Sequence, residues 1–182
     1  HDSTAIMNPR RLLVPDPDHI RLGIIGLTEG NGHPYSWSAI FNGYNPENMA
    51  RRCPFPGILD YLSKEDPSAM NIPGARITHI CCDDLRDAEK VAACSRIAHI
   101  CATPEELIGR VDAVIIATDI GGEHVRRARP FIAAGVPVFL DKPLCDNAAD
   151  LAVFEEWVDR GAAILSSSCM RYAKEYAIYH RQ

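Results

Sequence analysis

Leu22-Gly23-Ile24-Ile25-Gly26-Leu27-Thr28-Glu29-Gly30-Asn31-Gly32-His33-Pro34-Tyr35-Ser36 is the stretch on which the reading of the fold turns. An apolar run stops at a glycine-rich turn, and a helical segment from about Tyr35 to Asn42 follows. A short run that is apolar on both faces is what a strand inside a parallel sheet looks like. Small residues in the turn let backbone N–H groups approach an anion at a helix N-terminus. Gly26, Gly30 and Gly32 can serve in that way. A full dinucleotide fingerprint would place glycines at 26, 28 and 31, where this chain has Gly26, Thr28 and Asn31. With acidic Glu29 also in the loop, the turn reads equally as an altered phosphate loop or as a glycine-rich surface turn.

Outward from this point the pattern alternates. Tyr44 to Gly74 carries five prolines and is too long for an ordinary connection, so it reads as an insertion with one helix near Ile58 to Ser63. A second strand, Arg76 to Cys82, ends at Asp83-Asp84. A helix with Leu85, Ala88, Val91 and Ala92 on one face leads to a short strand at Ile97 to Cys101. Thr103-Pro104-Glu105-Glu106 has the form of a capping box with proline at the first helical position, and predicts another helix. Ala113 to Ala117 is a fourth strand. The helix from Gly122 to Ala134 contains Pro130, predicting a kink, and ends at Gly135. Val136 to Leu140, a helix faced by Leu151, Phe154 and Val158, and a strand at Ala162 to Ser168 complete the set. This is the pattern of an α/β fold: a Rossmann-type, doubly wound parallel sheet with helices on both faces, strand order 3-2-1-4-5-6. Residues 1–19 read as an N-terminal extension and 20–168 as the sheet domain. Residues 169–182 read as the start of a second, substrate-binding domain.

The chain has 182 residues, 47% hydrophobic and 24% charged, with a formal net charge of −5. No basic stripe with interleaved aromatics argues for nucleic acid, and no run approaches the ~18 apolar residues of a membrane span. His1 to His19 lacks the apolar core of a signal peptide. Cys53, Cys81, Cys82, Cys94, Cys101, Cys145 and Cys169 form no metal-ligand spacing. They read as buried free thiols in a reducing cytoplasm, with no metal.

In such sheets ligands bind beyond the carboxyl ends of the strands. After the second strand, Asp83 suits the hydrogen bonds of an adenosine ribose, and Asp84 suits the cap of the next helix. A carboxylate at position 83 would repel a 2′-phosphate, which favours NAD over NADP. After the fourth strand comes Ala117-Thr118-Asp119-Ile120-Gly121-Gly122-Glu123-His124, and after the fifth Leu140-Asp141-Lys142-Pro143. Lys142 would project where a nicotinamide sits; an ammonium there can hold a substrate hydroxyl and stabilise charge developing as its proton leaves. The alternative is a lysine that merely pairs with Asp141 or another carboxylate.

Asp112 to Thr118, then His124, then Ala134-Gly135-Val136-Pro137-Val138-Phe139-Leu140-Asp141-Lys142-Pro143 resembles the Gfo/Idh/MocA oxidoreductases, the family of glucose–fructose oxidoreductase and the inositol dehydrogenases. The resemblance covers about residues 20 to 176. It implies an NAD-binding domain followed by an open-sheet α/β domain, and hydride transfer at a hydroxyl-bearing carbon of a sugar, cyclitol or similar small molecule. Lys142 then takes the catalytic position, with Asp141 in place of the usual Glu, and the Lys142–Pro143 bond is allowed to be cis. Gly26, Thr28, Gly30, Asn31, Gly32, Asp83, Ala117, Thr118, His124, Asp141 and Lys142 fall at cofactor-binding positions. Asp119-Ile120 departs from the usual Pro-Asn. The acid/base partner and the substrate pocket belong to a second domain, through which the protein is also expected to form a homo-oligomer. The family also implies two other uses of the same fold, an NAD-sensing regulator and an NAD-dependent glycosidase.

Overall fold

The computed structural model describes residues 12–66, 68 and 70–175. Six strands, β1 (Ile20–Ile25), β2 (Ala75–Cys81), β3 (His99–Cys101), β4 (Ala113–Ile116), β5 (Val138–Leu140) and β6 (Ile164–Ser166), form one sheet in the order β3-β2-β1-β4-β5-β6. Every pairing is parallel. Strand type and order are therefore as the alternation predicts. Most strands are one to three residues shorter than predicted at an end; before β5, Val136 N is bonded to the Phe131 carbonyl, and pairing with β4 begins at the Pro137 carbonyl, which accepts from Val114 N at 2.9 Å.

The apolar runs within the strands are explained by the two cores. Successive residues point to opposite faces, so Ile24, Ile80 and Ile115 enter one cluster with Tyr35, Met49 and Val91, while Ile25, Cys81 and Ile116 enter the other with Val125, Phe131 and Phe154. The first face is covered by α1 (His33–Asn42), α2 (Pro46–Arg52), α3 (Pro56–Leu62) and α4 (Leu85–Ser95). The second is covered by α5 (His124–Ala133) and α6 (Ala148–Asp159).

Three local expectations are corrected. The insertion holds two helices, not one: Asn45 caps the added α2 by accepting from Asn48 N at 3.0 Å, with Pro46 in its first turn. The capping box at Thr103 does not form; its side chain makes no capping bond, and only a 3₁₀ turn, Pro104–Leu107, follows. The cause is packing. Leu107 is driven into the core against Gly23, and Gly109, at φ +81, turns the chain at once toward Val111 and β4. Finally, Cys169 is exposed and Cys53 and Cys145 are half-buried, so only Cys81, Cys82, Cys94 and Cys101 are buried thiols. Among the described residues no disulfide, metal cluster or helix long and apolar enough to cross a membrane is present.

Candidate active site

The carboxyl ends of β1, β4 and β5 lie side by side, and the turns that leave them meet. Thr28 Oγ1, from the turn after β1, donates to Asp119 Oδ1 at 2.7 Å in the turn after β4. Asp119 Oδ2 in turn lies 3.8 Å from Lys142 Nζ, after β5. Lys142 therefore pairs across the cleft with Asp119, not with its neighbour Asp141, and its side chain keeps 47% of its surface exposed. The Lys142–Pro143 peptide bond is cis, as is Gly26–Leu27.

Below this layer is a polar knot. Asp141 is 1% exposed. Its carboxylate accepts from Lys142 N at 2.7 Å, from Asn31 Nδ2 at 3.1 Å and from His33 Nδ1. Asn31 also donates to the Ala117 carbonyl at 3.2 Å, joining the turns of β1, β4 and β5. Burial alone would raise the Asp141 pKa, but the His33, Lys142 and Asn31 donors outweigh it and hold the group below the usual carboxylate range. The His33 ring stacks on Trp37 at 4.3 Å, one helical turn along, and Trp37 meets Phe139 edge-on at 5.7 Å.

The glycine turn differs from a regular phosphate loop. The first turn of α1 has no free donor: His33 N is bonded to Asn31 Oδ1, Pro34 has no N–H, and Tyr35 N and Ser36 N reach the Gly32 carbonyl. The N–H groups of Leu27, Thr28, Glu29, Gly30 and Gly32 have no backbone partner among the described residues. An anion would thus be met by the turn itself and not by the helix N-terminus. Gly30 takes φ +79 with open space around it. Gly26 and Gly32 are needed for packing: a Cβ at Gly26 would lie 2.4 Å from Pro34, and one at Gly32 would lie 2.5 Å from Ile58 of the insertion.

Thr118 is fully buried at the end of β4, and its hydroxyl has no hydrogen-bond partner. His124 is also fully buried, with Nε2 at 2.8 Å from the Thr118 carbonyl and Nδ1 at 3.0 Å from the Leu144 carbonyl. It braces the turn of β4 against the segment after Lys142 instead of lining open space. Asp84 accepts from Arg86 N at 2.9 Å and caps α4. Asp83 stands apart from the Lys142 cluster. Its side chain is 68% exposed, and it is held by both terminal nitrogens of Arg127, at 3.0 and 2.6 Å. Arg127 is 5% exposed and also pairs with Glu123. The two-pronged Arg127 contact holds the Asp83 pKa below its usual range despite partial burial.

Against known proteins, residues 59–166 match a family model described as an oxidoreductase family with an NAD-binding Rossmann fold. The chain belongs to this oxidoreductase family. It is 41% identical over 70 residues to an inositol 2-dehydrogenase of Gluconacetobacter diazotrophicus, covering 37% of this chain and 21% of that protein. With an inositol 2-dehydrogenase of Rhodococcus erythropolis it shares 32% identity over 103 residues, covering 55% of this chain and 30% of that protein. Its fold overlays apo scyllo-inositol dehydrogenase of Lactobacillus casei with a TM-score of 0.62 at 14% identity, over 90% of this chain and 41% of that one. The chain thus spans well under half the length of these relatives.

The residues present fit the cofactor type of the family at three places. The turn offers free N–H groups, Thr118 holds an unpartnered buried hydroxyl at the end of β4, and Asp83 presents an ionised, exposed carboxylate at the end of β2. His33 and Arg127 are the site-shaping residues that motif reading passed over. The signals available were an aromatic four residues after His33 and an acid four residues before Arg127.

Proposed function

We propose that this chain is the cofactor-binding portion of an NAD-dependent dehydrogenase acting at a hydroxyl-bearing carbon of a cyclitol or similar polyol. The observation that carries the reading is Lys142, half-exposed beyond β5 and aimed across the cleft toward Asp119. NAD, when bound, supplies the hydride acceptor. The turn from Gly26 to Gly32 would hold its pyrophosphate, Asp83 its adenosine ribose, and Ala117, Thr118 and Asp119 its nicotinamide side. Lys142 would hold the substrate hydroxyl and stabilise the charge left on oxygen as the proton departs. Residues from 169 onward are read as the entry to a substrate-binding domain that completes the pocket. The curated relatives named above, both inositol 2-dehydrogenases, support a cyclitol as the substrate class. The buried, unpaired thiols support a reducing compartment, the cytoplasm.

The test is NADH formation by the full-length protein with NAD and a panel of inositols and sugar alcohols, in parallel with Lys142→Met. The Lys142–Asp119 pair is exposed, so its loss should change stability by only ~0–1 kcal/mol. Turnover should fall by roughly 10²–10⁴-fold, the range for losing a positioned acid–base group. Wild-type-like turnover in Lys142→Met, or a loss matched by unfolding in thermal melts, returns Lys142 to a surface ion pair.

A further inference from the structure

We infer that His33 is a positioning residue for the hydride-transfer site: through the Asp141 carboxylate it fixes the backbone from which Lys142 projects. The inference rests on the reading of Lys142 given above.

The argument begins with the carboxylate. Asp141 is almost fully buried, and a buried carboxylate is tolerated only when its oxygens are met by donors. One oxygen accepts from Asn31 and His33, and the other accepts from Lys142 N. Because the carboxylate is held ionised, it can only accept, so the proton of this contact belongs to Nδ1 of His33. The imidazole is fixed in its turn by stacking on Trp37, which packs against Phe139 two residues before Asp141. His33, Trp37, Phe139 and Asp141 therefore form a closed brace between the first two turns of α1 and the end of β5. The member of the knot that faces outward is Lys142, and its N–H is a direct partner of the braced carboxylate.

The His33 side chain bonds the Asp141 carboxylate, at the end of β5. Its effect is on the lysine, and a displacement of the order of an ångström at a reacting group is enough to cost roughly 10²-fold in rate.

Two substitutions separate positioning from bulk packing. The side-chain amide nitrogen of Asn lies the same number of bonds from Cα as Nδ1 of His. His33→Asn therefore keeps a donor toward Asp141, while His33→Ala removes it. In the full-length protein, His33→Ala should lower kcat by roughly 10²-fold with a much smaller change in KM, and His33→Asn should recover most of that loss. A readout independent of activity is the Lys142 backbone amide in ¹⁵N-labelled protein. Its N–H should be downfield and slow to exchange in wild type and His33→Asn, and shifted upfield and faster in His33→Ala. If the wild-type protein turns over no polyol, the functional reading fails, and the amide resonance still decides the brace. An unmoved Lys142 amide in His33→Ala, or Asn and Ala variants impaired equally and in step with their melting temperatures, overturns the inference.

Discussion

At Asp83 a single exposed carboxylate is the group proposed to choose between NAD and NADP, and Arg127 holds it in place through both of its oxygens. The guanidinium engages both carboxylate oxygens from a buried position and is held on its other side by Glu123. The side chain stays 68% exposed, so in the proposed role each oxygen would still accept from a hydroxyl of an adenosine ribose, and the charge would repel a 2′-phosphate. The unaltered chain should therefore bind NADH more tightly than NADPH in fluorescence titrations. Asp83→Ala should weaken NADH by about 10–100-fold, the loss of hydrogen bonds to a charged acceptor. The same change frees the Arg127 fork for a phosphate, so the gap between the two nucleotides should close from both sides. Tighter NADPH binding by the unaltered chain would contradict the assignment. At this scale the sequence was informative about Asp83, whose place after a strand is a one-dimensional fact. It was silent about Arg127, which reaches Asp83 across 44 residues through the pairing of β1 with both neighbours.

The elements show why some signals were readable and others were not. Apolar runs flanked by helical periodicity came through as strands because burial on both faces is written into the carboxyl-terminal residues of β1, β2 and β4, Leu22–Ile25, His79–Cys81 and Val114–Ile116. The Thr103 capping box failed because a cap records only local preference, and the need to seat Leu107 under Gly23 overrode it. Asn45-Pro46-Glu47, the start signal of α2, was present but masked by the other prolines around it. The approach to α5 illustrates the same contest. A Cβ at Gly121 would lie 2.9 Å from backbone atoms of Cys145 and Asp146, which have no rotamer by which to move away. Gly122 N also donates to Asp146 at 3.0 Å, and His124 reaches Leu144, so three successive contacts dock α5 onto the segment that follows Lys142. Gly121→Ala should therefore lower stability by about 1–3 kcal/mol, the cost of overpacking a tight contact. Gly135→Ala makes a useful contrast, because it meets open space and carries only the penalty of φ +71. Thermal melts of the two variants separate crowding from backbone strain. A Gly121→Ala protein as stable as wild type would show that this docking is loose.

Across the whole molecule, carboxylates are held by donors at both ends of the sheet: at the carboxyl end Asp83 by Arg127, and Asp141 by His33, Asn31 and the Lys142 N–H. At the amino end Asp112 accepts from the Arg21 backbone N–H and pairs with the Arg21 guanidinium at 2.8 Å, clamping β1 to the turn that enters β4. The Arg21 hydrogen bonds outweigh partial burial and hold the Asp112 pKa below its usual value; the donors of Asp141 and Asp83 act on those groups in the same direction. A depressed folded-state pKa means that the unfolded chain binds the proton more readily. The stability each group adds is thus fully present above its unfolded pKa, near 4, and is lost as pH falls through the lower folded value. The part of the melting temperature that these carboxylates carry should stay flat from neutral pH down to about 5 and then drop steeply below about 4, while His79, whose pKa burial lowers in the folded chain, adds a shallower decline that starts below its unfolded value near 6.5. Asp112→Asn isolates one contribution without touching the site. The amide still accepts from the Arg21 backbone but carries no charge, and Arg21 is half exposed, so the cost at neutral pH should be only about 1 kcal/mol. That cost should shrink as pH falls below about 4, because the wild-type carboxylate is itself being neutralised, and the melting curves of the two proteins should draw together toward the acid end of the range. Parallel curves with a constant offset through the acid range would mean that Asp112 stabilises the sheet by shape and hydrogen bonding alone, and the charge on the clamp would have no part in the acid response.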